Sequence, residues 1–279
     1  MLFVNNKILR TTMIRCTVIL LSFLCINAFS KTMPLLDAIK ETVATQDITC
    51  VFVNCKSGEI IAPDSVSIKT RYTPCSTFKI WNTLIGVECQ IIHSATDSFY
   101  RWDSIARSIP SWNRNLTLKE AFQVSCVPAY QILARTIGNE QMYKWITIIN
   151  YGDKDISSGV DDFWLPREGK KSIKISSLEQ AQLIRKLVNG ELTFNQQSQN
   201  VLREIMVIET TSKGVFYGKT GSGVNLDSDK EQSLGWFVGY VTGRDQNYSF
   251  ACLIKGINVS GKDSRVIIES ILRKSGLLF

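Results

Sequence analysis

Histidine is nearly absent from this chain, and its scarcity removes two common kinds of catalytic site. His93 is the only histidine among 279 residues, and no Cys-x-x-Cys pair occurs. Zinc sites in proteins are built mainly from clustered cysteines and histidines, so we expect no metal centre. A Ser-His-Asp triad would need His93, which follows a predicted helix end in a loop containing serine and threonine and is expected at the surface. Hydrolytic chemistry would therefore need another base.

Long apolar runs and blocks of like charge are missing beyond the first thirty residues. There, three basic residues precede an apolar stretch at 17–25, and Ala28-Phe29-Ser30 has the small-x-small pattern of a cleavage site. Residues 1–30 are therefore expected to be a secretory signal peptide, which directs the mature chain to the periplasm. The formal net charge of +7 includes the three signal cations, and the other charges are interleaved. Neither a stable membrane anchor nor nucleic-acid binding is expected.

Eight cysteines are present, and two of them fall within the expected signal peptide. Export makes disulfides possible among the remaining six, and the sequence selects no pairing. A bridge between the near neighbours Cys50 and Cys55 would need a sharp turn within a strand-like run. The six residues are Cys50, Cys55, Cys75, Cys89, Cys126 and Cys252.

Strand-like segments lie at both ends of the chain, and helix-like segments lie between them. Strand patterns cover residues 48–54, 59–62, 214–219, 233–241 and 248–255. Helical spacing covers residues 35–43, 117–124, 127–137, 141–150, 177–189 and 263–274. The order predicts an α/β (α+β) domain over 31–279, with an antiparallel sheet from about 31–75 and 205–279 that is flanked by helices. A helical lobe over about 76–204 is inserted, and a site is expected at the seam.

The stretch from Pro74 to Glu88 contains the first candidate for chemistry. Its apolar residues recur at helical spacing, so a buried helix is predicted. Ser76 or Thr77 is expected to cap the helix start. Ser76 and Lys79 are three apart and share a face, which indicates a serine nucleophile whose base is a lysine, near a helix end that favours negative charge. By itself the pair fits a capping serine and a solvated lysine better than a catalytic pair.

Further short motifs follow in a fixed order. They are Ser125-Cys126-Val127 at a helix start, the turn Tyr151-Gly152-Asp153, Lys219-Thr220-Gly221 at a predicted strand end followed by Ser222, and Trp236-Phe237-Val238-Gly239. Ser-x-x-Lys together with Lys-Thr-Gly is the signature of serine β-lactamases and penicillin-binding proteins. Phe163-Trp164-Leu165 and Asn82-Thr83-Leu84-Ile85-Gly86 add specificity. With them, residues 48–272 closely resemble the class D β-lactamases.

The resemblance implies a serine β-lactamase/penicillin-binding transpeptidase-like fold and assigns the chemistry to four residues. Ser76 attacks the lactam carbonyl, and Lys79 carries a carbamate (N6-carboxylysine) and acts as general base. Ser125 relays a proton to the departing lactam nitrogen, supported by Lys219. No metal or organic cofactor is implied, only carbon dioxide or bicarbonate. The implied partner is a small-molecule β-lactam, bound by a monomer or homodimer.

The resemblance also assigns the residues that hold the substrate and surround the base. Thr220 and Arg265 bind the substrate carboxylate, with Gly221 beside them. The backbone N–H groups of Ser76 and Ser222 form the oxyanion hole. The residues implied to surround Lys79 are Val127, Trp164 and Leu165, with the Trp164 indole N–H donating to the carbamate.

An apolar surround for Lys79 has a physical reason. A carbamate forms only on a neutral amine, and a lysine with a pKa of about 10.4 is neutral roughly once in 2,500 at pH 7. Half neutrality requires the pKa to fall by about 3 units, and burial can lower a lysine pKa by about 3–5 units. Read without the motifs, Trp164 and Trp236 would equally be plain core residues.

Some positions depart from the family pattern. Asp153 stands where asparagine is usual, and Cys75 and Cys126 stand where alanine is common, which we interpret as small apolar filler pointing away from the site. The segment 166–172 is longer than usual and holds part of a basic cluster that is expected to be a solvated loop. Two other functions remain open: a β-lactam sensor domain and a penicillin-binding peptidase, both acylated without turnover.

Overall fold

The computed structural model describes residues 33–43, 47–228, 231–243 and 246–278. The expected signal peptide at 1–30 lies outside the described residues. Within the described ranges, no helix combines the length and apolarity required to cross a membrane.

The described ranges contain ten strands and eight α-helices. The strands are β1 Ile48–Asn54, β2 Ile60–Ile61, β3 Arg71–Tyr72, β4 Ser98–Tyr100, β5 Leu116–Thr117, β6 Ile175–Ser176, β7 Val207–Thr210, β8 Gly214–Val224, β9 Ser233–Gly243 and β10 Asn247–Gly256. The helices are α1 Leu35–Thr42, α2 Lys79–Glu88, α3 Leu118–Gln123, α4 Val127–Ile137, α5 Asn139–Ile148, α6 Ser177–Val188, α7 Gln196–Met206 and α8 Gly261–Ser275.

The main sheet has six antiparallel strands in the order β2-β1-β10-β9-β8-β7. The antiparallel sheet formed by both chain ends is thus confirmed. Side chains of β1 alternate between two cores: Val51 and Val53 face the core shared with α2 and α6, whereas Cys50 and Phe52 face α1 and α8. Both faces of the sheet are therefore covered, which explains why the central strands are apolar almost throughout.

Helix α2 is buried along nearly its whole length, in the same core as Val51 and Val53. The predicted helix is present, but a 3₁₀ turn over Cys75–Phe78 precedes it. The capping prediction is wrong. Thr77 Oγ1 donates back to the carbonyl of Pro74 at 2.7 Å, and Ser76 Oγ accepts from Lys79 instead of a backbone N–H.

Strand β8 is longer than predicted. The pattern placed its end at Lys219, whereas the strand continues to Val224 and pairs with β9 over its full length. Thr220-Gly221-Ser222-Gly223 has little intrinsic strand preference, so the neighbouring strand decides its conformation. Helix α7 and the short strands β3 to β7 were also not predicted as separate elements.

Candidate active site

Ser76 and Lys79 meet at the start of α2. The ammonium Nζ of Lys79 donates to Ser76 Oγ at 2.8 Å. Lys79 has no exposed surface, and Ser76 is 8% exposed. Burial lowers the pKa of Lys79 to about 7, against weaker opposing effects of Cys126 and Cys75. The pair therefore combines a serine that keeps a small exposed surface with an amine that is half neutral near pH 7.

Ser125 and Lys219 form a second hydroxyl–lysine pair. Lys219 Nζ donates to Ser125 Oγ at 3.0 Å and to the carbonyl of Thr220 at 2.9 Å, above the ring of Phe122. Burial, and next the charge of Lys79, lower the pKa of Lys219 well below the usual lysine value. The two pairs therefore lie close enough for the charge of Lys79 to lower the pKa of Lys219.

Each of the two serines lies in a turn that contains a residue with left-handed backbone. Cys75, just before Ser76, has φ of +52°, and Ser125, in the turn between α3 and α4, has φ of +56°. Non-glycine residues adopt this region at an energetic cost and are found there often at active sites. The Trp112 indole supports the second turn by donating to the carbonyl of Val124 at 2.9 Å.

The backbone of β8 lies against the first turn of the Ser76 segment. A Cβ placed on Gly221 would lie 3.0 Å from the carbonyl oxygen of Pro74 and 3.1 Å from the nitrogen of Thr77. Only glycine permits this approach without displacement of one segment. The strand and the nucleophile turn are therefore held in direct contact.

The N–H of Ser222 points toward the open edge of β8. The N–H of Asn225 donates to the carbonyl of Gln232, so these two residues form a hydrogen-bonded pair. Counting back from Asn225, every second residue of β8 is therefore hydrogen-bonded to β9. Ser222, which stands opposite Gly235, belongs to the alternate, non-hydrogen-bonded set. Its N–H and C=O therefore point away from β9. Strand β7 pairs only with Val215 to Tyr217 of β8. The Ser222 side chain meanwhile accepts from Gly261 N–H at 2.9 Å, which leaves the backbone N–H available to a ligand.

Arg265 lies on α8 at the other end of this edge. With Lys219 and Thr220 it lines a cavity of about 250 Å³. Its Nε donates to Glu269 Oε1, one helical turn further, at 2.6 Å. The side chain is nearly half exposed, and an ion pair on one side leaves its terminal amino groups for an anion.

Trp164 packs beside the segment that carries Lys79, and its indole N–H has no acceptor in the part of the chain that the structure describes. The ring stacks on Phe78 with 5.7 Å between centroids, and the residue has no exposed surface. Within the described residues, Nε1 of Trp164 is a buried donor with no acceptor. Trp236 differs, because its indole donates to the carbonyl of Thr73 at 2.9 Å and so has a structural role. A buried unsatisfied donor is costly, which points to an acceptor that binds there.

Val127 and Leu165, the other residues expected to surround Lys79, belong to or pack against the core that contains Phe78 and Trp164. Val127 is half-buried at the first position of α4, and Leu165 is 9% exposed beside Trp164. Cys75 and Cys126 are fully buried, as the apolar-filler interpretation expected. The Cys75 thiol donates to the carbonyl of Thr73 at 3.6 Å. The left-handed backbone at Cys75 breaks the helical geometry on which that expectation was based.

The sequence did not reveal the polar contacts deeper in α2. The Lys79 ammonium lies 5.3 Å from the ring centroid of Tyr130. The hydroxyl of Tyr130 meets Thr83 Oγ1 at 2.9 Å, and Thr83 donates to the carbonyl of Lys79 at 2.8 Å. Asn82, one turn beyond Lys79, is buried with both amide atoms unpartnered within the described residues. Only the helical spacing of Val127 and Tyr130 hinted that α4 contributes to the site.

The turn at Tyr151-Gly152-Asp153 is closed by the strand segment that follows the long loop. A Cβ on Gly152 would lie 2.1 Å from the carbonyl oxygen of Lys174, and φ there is +51°. Asp153 Oδ1 accepts the N–H groups of Lys174 and Asp155 at 3.0 and 3.2 Å. These bonds need only acceptor oxygens, so a carboxylate serves as well as the amide usual at this position.

The basic cluster near the long loop is exposed, as predicted, and most of its members form ion pairs. Arg167 and Lys170 both contact Asp162, and Lys174 contacts Asp227. His93 is also exposed, at the surface position that the sequence indicated.

Comparison with known proteins identifies the family. The penicillin binding protein transpeptidase domain matches residues 48–273. "Probable beta-lactamase YbxI" of Bacillus subtilis (strain 168) is 38% identical over 242 residues, which cover 87% of this chain and 84% of that protein. The solved structure of FUS-1 (OXA-85), a class D β-lactamase from Fusobacterium nucleatum subsp. polymorphum, is 31% identical with a TM-score of 0.79, covering 87% and 99% of the two chains.

A receptor domain has a comparable structure. The C-terminal domain of the Bacillus licheniformis BlaR penicillin-receptor is 28% identical with a TM-score of 0.78, covering 86% of this chain and 96% of that one. The similarity of this receptor shows that the fold serves more than one purpose. The sequence identity to named β-lactamases, the matching domain and the two hydroxyl–lysine pairs agree on the family: the chain belongs to the class D serine β-lactamases.

Proposed function

We propose that this enzyme hydrolyses the β-lactam amide of penicillin-type antibiotics, with Ser76 as nucleophile and a carbamate on Lys79 as general base. The observation that carries the proposal is the complete burial of Lys79, which lowers its pKa to about 7. About half of the amine is then neutral at pH 7, whereas an ordinary lysine is neutral roughly once in 2,500. Carbon dioxide adds only to the neutral form.

The residues around Lys79 suit such a modification. The buried Trp164 Nε1–H lacks an acceptor within the described residues and would be satisfied by a carbamate oxygen. Ser76 Oγ already lies within hydrogen-bond distance of Nζ. When formed, the carbamate supplies a base for proton removal from Ser76 and later from water.

The chain's own groups account for the other steps. Ser76 Oγ attacks the lactam carbonyl, and the N–H groups of Ser76 and Ser222 stabilise the oxyanion, where loss of one donor costs about 10²–10³ in rate. Ser125, held by Lys219 at 3.0 Å, protonates the departing nitrogen. Thr220 and Arg265 bind the substrate carboxylate at the cavity they share with Lys219.

The experiment is a bicarbonate titration at several pH values. Penicillin hydrolysis is measured between mildly acidic and neutral pH, with and without added bicarbonate, together with ¹³C NMR of enzyme supplied with labelled bicarbonate. We expect acid to slow turnover, because it protonates Lys79 and removes the carbamate, and bicarbonate to restore it. If neither rate nor NMR spectrum responds to bicarbonate, the base is another group.

The cellular part of the proposal concerns export and resistance. Residues 1–30 would direct the chain to the periplasm and be removed after Ser30, leaving a single domain over 31–279, and hydrolysis there would protect the cell from penicillins. Mass spectrometry of the exported protein tests this directly. A mature N-terminus at Lys31 supports it, whereas a retained leader contradicts it.

The similarity to the receptor domain makes a sensor the second candidate. A sensor would use Ser76 for one acylation and remain acylated. Excess penicillin distinguishes the two: an enzyme consumes many equivalents, and a sensor consumes about one.

A further inference from the structure

Two buried thiols face each other across the centre of the main sheet. Cys50 on β1 stands directly opposite Cys252 on β10. They are 1% and 0% exposed and belong to the core between the sheet and helices α1 and α8. Phe78 and Trp164, which pack beside the site described above, belong to the opposite core, so the two thiols have no part in that site.

The hydrogen bonds of the two strands define the geometry of the pair. Lys255 N–H donates to the Asp47 carbonyl at 2.9 Å, and Cys55 N–H donates to the Asn247 carbonyl at 2.8 Å. Hydrogen-bonded pairs recur every second residue in an antiparallel ladder. Counting from either bond, Cys50 and Cys252 form a non-hydrogen-bonded pair.

Such a pair has the separation that a disulfide needs. In non-hydrogen-bonded pairs the Cα atoms lie about 4.5 Å apart, and directly opposed Cβ atoms lie about 4.5–5.5 Å apart, with this class at the short end. Disulfides span Cα distances of about 4.4–6.8 Å and Cβ distances of about 3.5–4.5 Å. Side chains on this face do meet across the strands, because the rings of Phe52 and Phe250, in the next such pair, are 5.7 Å apart.

We propose that Cys50 and Cys252 are a disulfide site, which closes when the chain folds in the presence of a small-molecule disulfide oxidant such as oxidised glutathione. Two S–H bonds break and one S–S bond forms. The two protons and two electrons pass to the oxidant, whose S–S bond breaks and which leaves as two thiols. The bond links the first long strand to the last one, and so joins the two chain ends that build the sheet.

Burial decides when the bond forms. It raises the pKa of the Cys50 thiol well above its usual value, and the hydrogen bond and charge of Cys252 add to the effect. Thiolate is the attacking species, so the folded reduced protein reacts slowly. Closure therefore belongs to folding, before α1 and α8 cover the pair. Cys89 is only half-buried, so thiol reagents should reach it in the folded protein, whereas Cys50 and Cys252 are covered.

The test is peptide mapping of the full chain after refolding in oxidised and reduced glutathione. Free thiols are alkylated in denaturant, and the digest is analysed without reduction. We expect a peptide pair linked through Cys50 and Cys252, lighter by two hydrogen atoms than the separate peptides. Alkylation of both residues in refolded, active enzyme, or linkage of either to another cysteine, overturns the proposal.

Variants and stability supply independent readouts. Cys50→Ala and Cys252→Ala should each abolish the linked peptide, whereas the matched control Cys89→Ala should retain it. The oxidised wild type should unfold at a higher urea concentration than the reduced form, with unchanged initial rates of penicillin hydrolysis. A midpoint that is equal in both forms, despite a linked peptide, would contradict the proposed link between strands that pair in the native sheet.

Discussion

Trp164→Phe removes one N–H group and keeps an aromatic ring stacked near Phe78. If that N–H donates to a carbamate on Lys79, the change deletes a hydrogen bond to a charged group, worth about 1.5–3 kcal/mol. The bicarbonate concentration needed for half-maximal carbamate should then rise about 10- to 150-fold, because each 1.36 kcal/mol corresponds to a factor of about ten. The amine itself remains, so high bicarbonate should restore turnover.

The assay is a labelled-bicarbonate titration followed by ¹³C NMR, which reads carbamate occupancy without depending on catalysis. Trp236→Phe is the matched control, because that indole is equally buried but donates to the Thr73 carbonyl. The control should lose stability without a change in bicarbonate affinity. An unchanged bicarbonate affinity in Trp164→Phe would refute the role assigned to the indole.

Further predictions concern the base and the carboxylate end of the cavity. Without bicarbonate, Lys79→Met should raise the free energy of unfolding by about 4–5 kcal/mol at pH 6, since burial lowers the pKa of Lys79 to about 7 and folding below that pH must bury a protonated amine. The gain should shrink as pH rises from about 7 towards about 10.4, where the unfolded lysine also loses its proton, and urea unfolding across this range checks it. Arg265→Ala should raise KM for several penicillins by removing a carboxylate partner, and unchanged kinetics would show that Arg265 does not bind substrate. Glu269→Gln should raise KM less than Arg265→Ala does, because it only weakens the contact that orients the guanidinium.

The sequence predicted the parts of the fold that local pattern controls. The spacing of buried residues located α2 and α4 to within a few positions, and the strand patterns located β1, β9 and β10. The prediction from sequence failed where the secondary structure depends on residues that are distant in the chain. The second half of β8 is rich in glycine and small polar residues and is a strand only because β9 pairs with it throughout.

In the site, too, the sequence motifs predicted some features, and contacts between distant residues determine the others. Motif order brought Ser76, Lys79, Ser125 and Lys219 into one prediction, and the structure places them in two hydrogen-bonded pairs. Spacing along the chain cannot predict which aromatic rings and thiols of other elements contact the site residues. The contact of Tyr130 with Lys79 follows from tertiary packing, and the position of the Cys75 thiol near the Thr73 carbonyl follows a left-handed backbone at Cys75.

The central claim is turnover through Ser76, and a mass-spectrometric time course with excess benzylpenicillin tests it most directly. An adduct on the peptide containing Ser76 should appear, persist while substrate remains, and disappear as many equivalents of hydrolysed penicillin accumulate. Ser76→Ala should show neither adduct nor product while remaining folded, since the hydroxyl does not cap the helix. An adduct that persists after one equivalent, or one on any other residue, would contradict the account.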